Sequence, residues 1–143
     1  MKSTATAVWN GGLKDGKGTV SAGNNAFLDV PYNFGKRFEG AAGAGTTPEE
    51  LIAAAHAGCF SMAFSAELGK AGFTPERVVS KATVTLDFVE GVPTVTTSHL
   101  VMTAKIPGID AAKFNEIANG AKAGCPISRL LTAKVTLEAT LES

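Results

Sequence analysis

The chain has 143 residues, 45% hydrophobic and 18% charged, a composition that fits one globular domain over 1–143 and excludes a disordered chain. Thirteen basic and thirteen acidic residues cancel, leaving no electrostatic footprint for nucleic acid or for an anionic membrane surface. Behind Lys2 the N-terminus has no apolar stretch, so no secretory signal is expected and the protein is placed in the cytoplasm. In a reducing compartment its two cysteines are expected to work as thiols rather than form a permanent disulfide.

The first segment, Thr4 to Trp9, has strand composition and runs into Asn10-Gly11-Gly12; a second short strand is expected at Gly18 to Ala22. Residues 11–19 read G-G-L-K-D-G-K-G-T, one residue away from a phosphate-binding loop. Gly18 stands where a hydroxyl would ligate magnesium, and no helix follows, so the stretch reads as a glycine-rich hairpin loop. From Gly23 to Thr47 the chain is rich in Gly, Asn and Pro, and only a strand near Ala26 to Val30 is expected there.

Helix signals then become strong. Thr47 with Glu50 matches a capping box, Pro48 sits at the first helical position, and acidic residues crowd the first turn. The helix is expected to run to about Lys70, ended by Gly69 and Gly72. Its apolar run, Leu51 to Leu68, has the length of a marginal membrane span. It carries His56, Ser61, Ser65 and Glu67, however, and begins with a soluble-helix cap. The expectation is a central helix packed on all sides, with no membrane role.

Two alternating strands follow. Val78, Ala82, Val84, Leu86 and Phe88 share a face of the first, and Leu100, Met102, Ala104 and Ile106 share a face of the second, with a turn at Glu90-Gly91-Val92-Pro93. Asp110 caps a second long helix bearing Phe114, Ile117, Ala118 and Ala121 on one side. Gly124 closes it, and a short helical turn is expected from Pro126 to Leu131. The last strand puts Val135, Leu137, Ala139 and Leu141 inside. The order predicts an α+β fold with an antiparallel sheet.

Chemistry concentrates on the cysteines. Cys59 sits in mid-helix, where position alone favours a small buried hydrophobe. Burial raises a thiol pKa, and the helix dipole acts only over the first turn, so a reactive Cys59 needs a cation from elsewhere. Cys125, between Gly124 and Pro126, lies where a new helical turn can begin, an address that favours thiolate. Of the three arginines, Arg77 looks like a surface charge, while Arg37 and Arg129 are equal candidates on spacing. His56 and Cys59 at i and i+3 could share a metal, but with His99 and Cys125 as the only other soft ligands and no finger-like spacing, neither a metal nor a cofactor is expected.

Taken together, Arg37-Phe38-Glu39-Gly40, the run from Thr47 to Met62 and the run from Ala121 to Ser128 resemble the osmotically inducible protein C (OsmC) branch of the OsmC/Ohr family. Gly72-Phe73-Thr74-Pro75 and Ile106-Pro107-Gly108-Ile109-Asp110 agree with it. Thr46-Thr47-Pro48 departs from it, since the family pattern has Asn before the Pro. The resemblance implies an OsmC-like fold, antiparallel sheets packed around a long central helix pair in an intertwined homodimer. It also implies reduction of organic hydroperoxides in oxidative or osmotic stress defence. It assigns Cys59 as the peroxidatic and Cys125 as the resolving cysteine, Arg37 as the partner of the thiolate and Glu49 as the carboxylate that orients Arg37. It implies a dithiol reductant: a lipoyl protein, thioredoxin or glutaredoxin.

Glu49 precedes Cys59 by ten positions, roughly 15 Å of rise on a continuous helix. Glu49, with Arg37, is therefore expected to reach Cys59 from the partner subunit, so that each active site straddles the dimer interface. An apolar wall from Phe60, Met62 and Phe34 is expected to favour alkyl hydroperoxides. Two other readings use the same residues: a dimeric binding protein for an apolar ligand, and a thiol redox sensor.

Overall fold

A computed structural model describes residues 1–143. The chain forms two compact units, Met1–Leu51 and Ile52–Ser143.

In the first unit, β1 (Ala5–Asn10) and β2 (Lys17–Ala22) form an antiparallel hairpin, so the glycine-rich stretch between them is a hairpin loop. A short β3 (Val30–Tyr32) pairs antiparallel with the other side of β2. The expected strand near Ala26 to Val30 thus lies later than composition implied. After it comes a helix that composition did not reveal, α1 (Phe34–Phe38). Its start is local chemistry: Asn33 is extended, and its side-chain oxygen accepts the Lys36 N–H at 2.8 Å, the work of an N-cap.

The long helix α2 (Pro48–Lys70) starts on a closed capping box. The Thr47 hydroxyl accepts the Glu50 N–H at 3.1 Å, and the Glu50 carboxylate accepts the Thr47 N–H at 3.0 Å. Thr47 and Glu50 together satisfy two donors that a helix start leaves unpaired.

In the second unit, β4 (Arg77–Val89) and β5 (Val92–Lys105) form a long antiparallel hairpin. Its turn is only Glu90-Gly91, both at positive φ, the two-residue geometry that matches strand twist. Val92 and Pro93 therefore belong to β5 rather than to the turn. Helices α3 (Ala111–Gly124) and α4 (Pro126–Leu130) then return the chain to β6 (Lys134–Glu142). β6 pairs with the far side of β5, parallel rather than antiparallel. A helical crossover is what a parallel pairing requires, and alternation alone cannot tell the two directions apart.

The core of this unit follows the sequence pattern closely. Leu100, Met102 and Ala104 are fully buried on β5, and Phe114, Ile117, Ala118 and Ala121 are buried on α3. From α2 come Phe60, Phe64 and Leu68, each fully buried, with Phe64 edge-on to Phe114 at 5.8 Å. The rest of α2 departs from expectation. Ala54, Ala55, Gly58, Ser65 and Ala66 are exposed, and Met62 is 76% exposed. The helix is long and apolar enough to cross a bilayer by length and composition, yet one of its faces belongs to the core, and the opposite face is a small-residue stripe.

Phe64→Ala is expected to cost about 3–5 kcal/mol, the usual loss for a large aromatic in a close-packed core, measured by urea denaturation. Thr47→Ala should cost about 1 kcal/mol through the lost cap.

Candidate active site

Arg37, Glu49, Cys59 and Cys125 fall into two clusters. The first lies in the Met1–Leu51 unit. Arg37, in the last turn of α1, meets Glu49, in the first turn of α2, through a two-pronged contact. Nη2 donates to Oε1 at 2.7 Å and Nε to the same oxygen at 3.1 Å, with Nε to Oε2 at 3.3 Å. Glu49 is buried, while the Arg37 side chain stays 36% exposed. The guanidinium carbon also sits 5.1 Å from the Phe38 ring centre, a cation–π arrangement. The carboxylate and the ring together hold the guanidinium in one plane and leave its remaining N–H groups free. Beside it opens a cleft of about 310 Å³ whose walls include Trp9, Tyr32, Phe34 and Phe38.

The second cluster lies in the Ile52–Ser143 unit. Cys59 is half-buried on α2, and Cys125 is fully buried at the N-cap of α4. Both are free thiols, and they lie against each other. Burial pushes the Cys59 thiol up, the neighbouring Cys125 pushes it further, and the Ile127 N–H offsets only part of this. Cys125 moves the other way. Burial is the largest single influence and opposes ionisation, but the Ser128 N–H, the Cys59 thiol, the Ile127 N–H and the Ser128 hydroxyl together hold it below the ordinary thiol range. The two backbone N–H groups are donors left open by the start of α4. They face the sulfur without closing a formal capping bond. Within this unit the donors therefore favour the thiolate at Cys125 over that at Cys59, and no cation acts on Cys59.

Arg129 does not compete for the thiols: it is exposed on α4, and no donor to either sulfur comes from it. Nor does Phe60 form a wall, since it is fully buried among core side chains. Met62 faces outward, and Phe34 lines the cleft beside Arg37.

Sequence reasoning missed the role of His56. It is fully buried one helical turn before Cys59. Its Nδ1 shares a hydrogen bond with the Ser98 hydroxyl at 2.7 Å and its Nε2 with the Ser128 hydroxyl at 2.8 Å. Both ring nitrogens are thus taken by serines, and burial lowers the imidazole pKa. The available signal was spacing: His56, Phe60, Phe64 and Leu68 recur every four residues, one inward stripe of a helix.

The comparisons with known proteins agree with this architecture. The family described as OsmC-like protein matches residues 40–140. A peroxiredoxin OsmC of Escherichia coli (strain K12) is 50% identical over 137 residues, covering 96% of this chain and 94% of that one. An organic hydroperoxide resistance protein of Xanthomonas axonopodis pv. citri (strain 306) is 27% identical over 141 residues, with 96% and 93% covered. An OsmC-like protein crystal structure from Mycoplasma pneumoniae shares the fold at a TM-score of 0.76 and 16% identity, covering 100% of this chain and 99% of that one. The α+β fold is therefore that of the OsmC/Ohr proteins. The chain belongs to the OsmC-like family.

Burial of a neutral His56 sets a pH dependence. The folded-state pKa lies below the ordinary value of 6.5, so below that pH the unfolded chain binds a proton the folded chain refuses. Stability is then present above pH 6.5 and falls as pH drops through and below it. Urea midpoints measured between pH 7.5 and 5 should decline in the wild type, and more shallowly in His56→Gln.

Proposed function

We propose that this chain is a thiol-dependent peroxidase of the cytoplasm that reduces organic hydroperoxides, with Cys59 as the peroxidatic and Cys125 as the resolving cysteine. The observation that carries the proposal is the pair of free thiols set against each other in a chain half identical to a peroxiredoxin. Their placement supports the division of labour: Cys59 is partly open to solvent, and Cys125 is wholly enclosed.

The Cys59 thiolate attacks the O–O bond of the hydroperoxide. That bond breaks, the alkoxide leaves and takes a proton to become the alcohol, and Cys59 becomes a sulfenic acid. Cys125 then displaces hydroxide from the Cys59 sulfur, giving a disulfide and water before further oxidation can occur. A dithiol such as a lipoyl protein, a thioredoxin or a glutaredoxin restores both thiols by exchange. In the first step the raised pKa of Cys59 must be overcome, and Arg37 is the residue suited to it. Locked to Glu49 through one edge, it keeps donors free for a thiolate and for the departing alkoxide.

Arg37 and Glu49 reach Cys59 from a second subunit in this reading. Glu49 and Cys59 belong to one uninterrupted helix, about 15 Å apart in rise. The exposed stripe of Ala54, Ala55, Gly58, Met62, Ser65 and Ala66 suits a second α2, because small residues let two helix backbones approach closely. Charge neutrality over the whole chain adds no repulsion to such pairing. The aromatic cleft beside Arg37 then receives the organic tail of the substrate, which favours alkyl hydroperoxides over hydrogen peroxide.

One equivalent of cumene hydroperoxide added to the reduced protein should consume both thiols and remove two hydrogens from the intact mass, an outcome lost in Cys59→Ser. Two unreacted thiols would refute the peroxidase and favour a binding protein. Mixing refolded Cys59→Ser with Arg37→Ala tests the shared site. Random dimers would recover about a quarter of wild-type turnover, because half are mixed and each mixed dimer holds one intact site; a site built within one chain would recover none.

A further inference from the structure

His56 is buried, polar and unused by the chemistry described above, and its surroundings are unusual for a core histidine. Each of its nitrogens meets a serine hydroxyl, and the second serine stands beside a cysteine. A chain of residues runs from Ser98 through His56 to Ser128 by hydrogen bonds and reaches Cys125 as the N-cap of the short helix that carries Ser128. Four elements supply it: β5, α2, α4 and the α3–α4 junction. No buried side-chain nitrogen or oxygen is left without a partner, and both imidazole nitrogens are satisfied by the two serines.

A neutral imidazole offers one donor and one acceptor, which leaves two ways to order these contacts. If the proton is on Nδ1, Ser98 accepts it and Ser128 must donate to Nε2, so the Ser128 proton is not available to sulfur. If the proton is on Nε2, Ser128 accepts it, Ser98 donates to Nδ1, and the Ser128 O–H is free to point at Cys125. Only the second order lets Ser128 donate to a thiolate. Imidazolium is disfavoured because the site is buried and the ring has no acidic partner.

We propose that His56 is a positioning residue for the resolving step: as the Nε2–H tautomer it fixes the Ser128 hydroxyl so that its O–H donates to the Cys125 sulfur. The inference rests on the reading of Cys125 as the resolving cysteine. In that step the Cys125 sulfur, charged and held by the Ser128 donor, forms a bond to the sulfenic sulfur of Cys59. The S–O bond breaks and hydroxide leaves with its electron pair. The proton released by the Cys125 thiol ends on that hydroxide as water. The sulfenic sulfur is reduced and the thiol sulfur oxidised, each to the disulfide level, so no outside electron donor is needed. His56 does not touch the reacting atoms. It acts through Ser128, and its effect falls on the second step of the cycle.

Asparagine at position 56 can mimic Nδ1 and keep Ser98, whereas glutamine can mimic Nε2 and keep Ser128. Reduced wild type, His56→Gln, His56→Asn and Ser128→Ala are each given one equivalent of cumene hydroperoxide. The lifetime of the Cys59 sulfenic acid is followed by dimedone trapping, and disulfide by intact mass. His56→Asn and Ser128→Ala should lengthen that lifetime roughly ten-fold, the loss expected of one hydrogen bond to a charged group. They should also accumulate more sulfinic acid under excess peroxide, while His56→Gln stays close to wild type. In a Cys59→Ala background, the thiolate absorbance of Cys125 should titrate at higher pH with Ser128→Ala, a readout that a purely structural role would not move. Ser128 is only half-buried, so its variant remains informative if His56→Asn fails to fold. Equal sulfenic acid lifetimes in all four proteins overturn the inference. So does slowing in Ser128→Ala with His56→Asn unchanged. A wild type that forms no disulfide at all would instead refute the peroxidase reading itself.

Discussion

A thiol in the middle of an α-helix is electrostatically stranded. The backbone N–H groups around Cys59 are spent on the helix ladder, and the helix dipole is felt only at the ends. Partial burial then raises its pKa further. Everything else about the thiol site answers that constraint. Donors have to come from other elements, and the nearest supply is the start of α4, where Ile127 and Ser128 have N–H groups without helical partners. These serve Cys125 first, because it is the N-cap residue. Cys59 receives only one of them, so the more exposed sulfur is the one that still lacks a positive charge. In the proposed function the Arg37–Glu49 fork meets that need, since its carboxylate fixes the arginine without using all of its donors.

The core of the Ile52–Ser143 unit sets how finely that site can be held. Phe60, Phe64 and Leu68 anchor α2 among Leu100, Met102 and Phe114. With those side chains in place the helix cannot rotate without opening cavities in a close-packed interior. His56 extends the same stripe by one turn and points inward. Cys59 sits one position before Phe60, at the edge of the stripe, partly exposed and within reach of Cys125. The same rotation turns Gly58 and Met62 outward. Core, thiol and outward face are therefore three readings of one helix orientation.

Elements with a strong period were legible in the sequence. The α3 stripe of Phe114, Ile117, Ala118 and Ala121 and the β5 face of Leu100, Met102 and Ala104 are buried as their spacing requires. The capping box at Thr47 and Glu50 was equally plain, being a contact between neighbours. What escaped was set by context. Helix α1 depends on one Asn33 cap inside a segment of turn-forming composition. The parallel direction of β6 leaves no trace in alternation. Alanine suits either side of a helix, so the apolar circumference of α2 did not reveal that one face stays open in the single chain. In the site, spacing left Arg37 and Arg129 level, and only the family resemblance favoured Arg37. The structure adds that Arg37 has a buried carboxylate partner while Arg129 lies exposed.

His56 poses the sharpest question about what this core is for. Its place in the stripe with Phe60, Phe64 and Leu68 is one where a large aliphatic side chain would add apolar burial. Replacing a buried polar group and its partners by apolar groups of similar shape is often neutral or stabilising, whereas removing one partner alone is costly. Once present, the imidazole therefore obliges Ser98 and Ser128 to remain, and a polar thread runs through an otherwise apolar interior. Such a thread is most valuable where its last member must hold one orientation. Here the last member stands beside Cys125, the sulfur whose charge the surrounding donors already favour. The interior thus gives up some apolar burial at position 56 for control over a single hydroxyl at position 128. The proposed role of that hydroxyl at the neighbouring thiol gives that exchange a purpose.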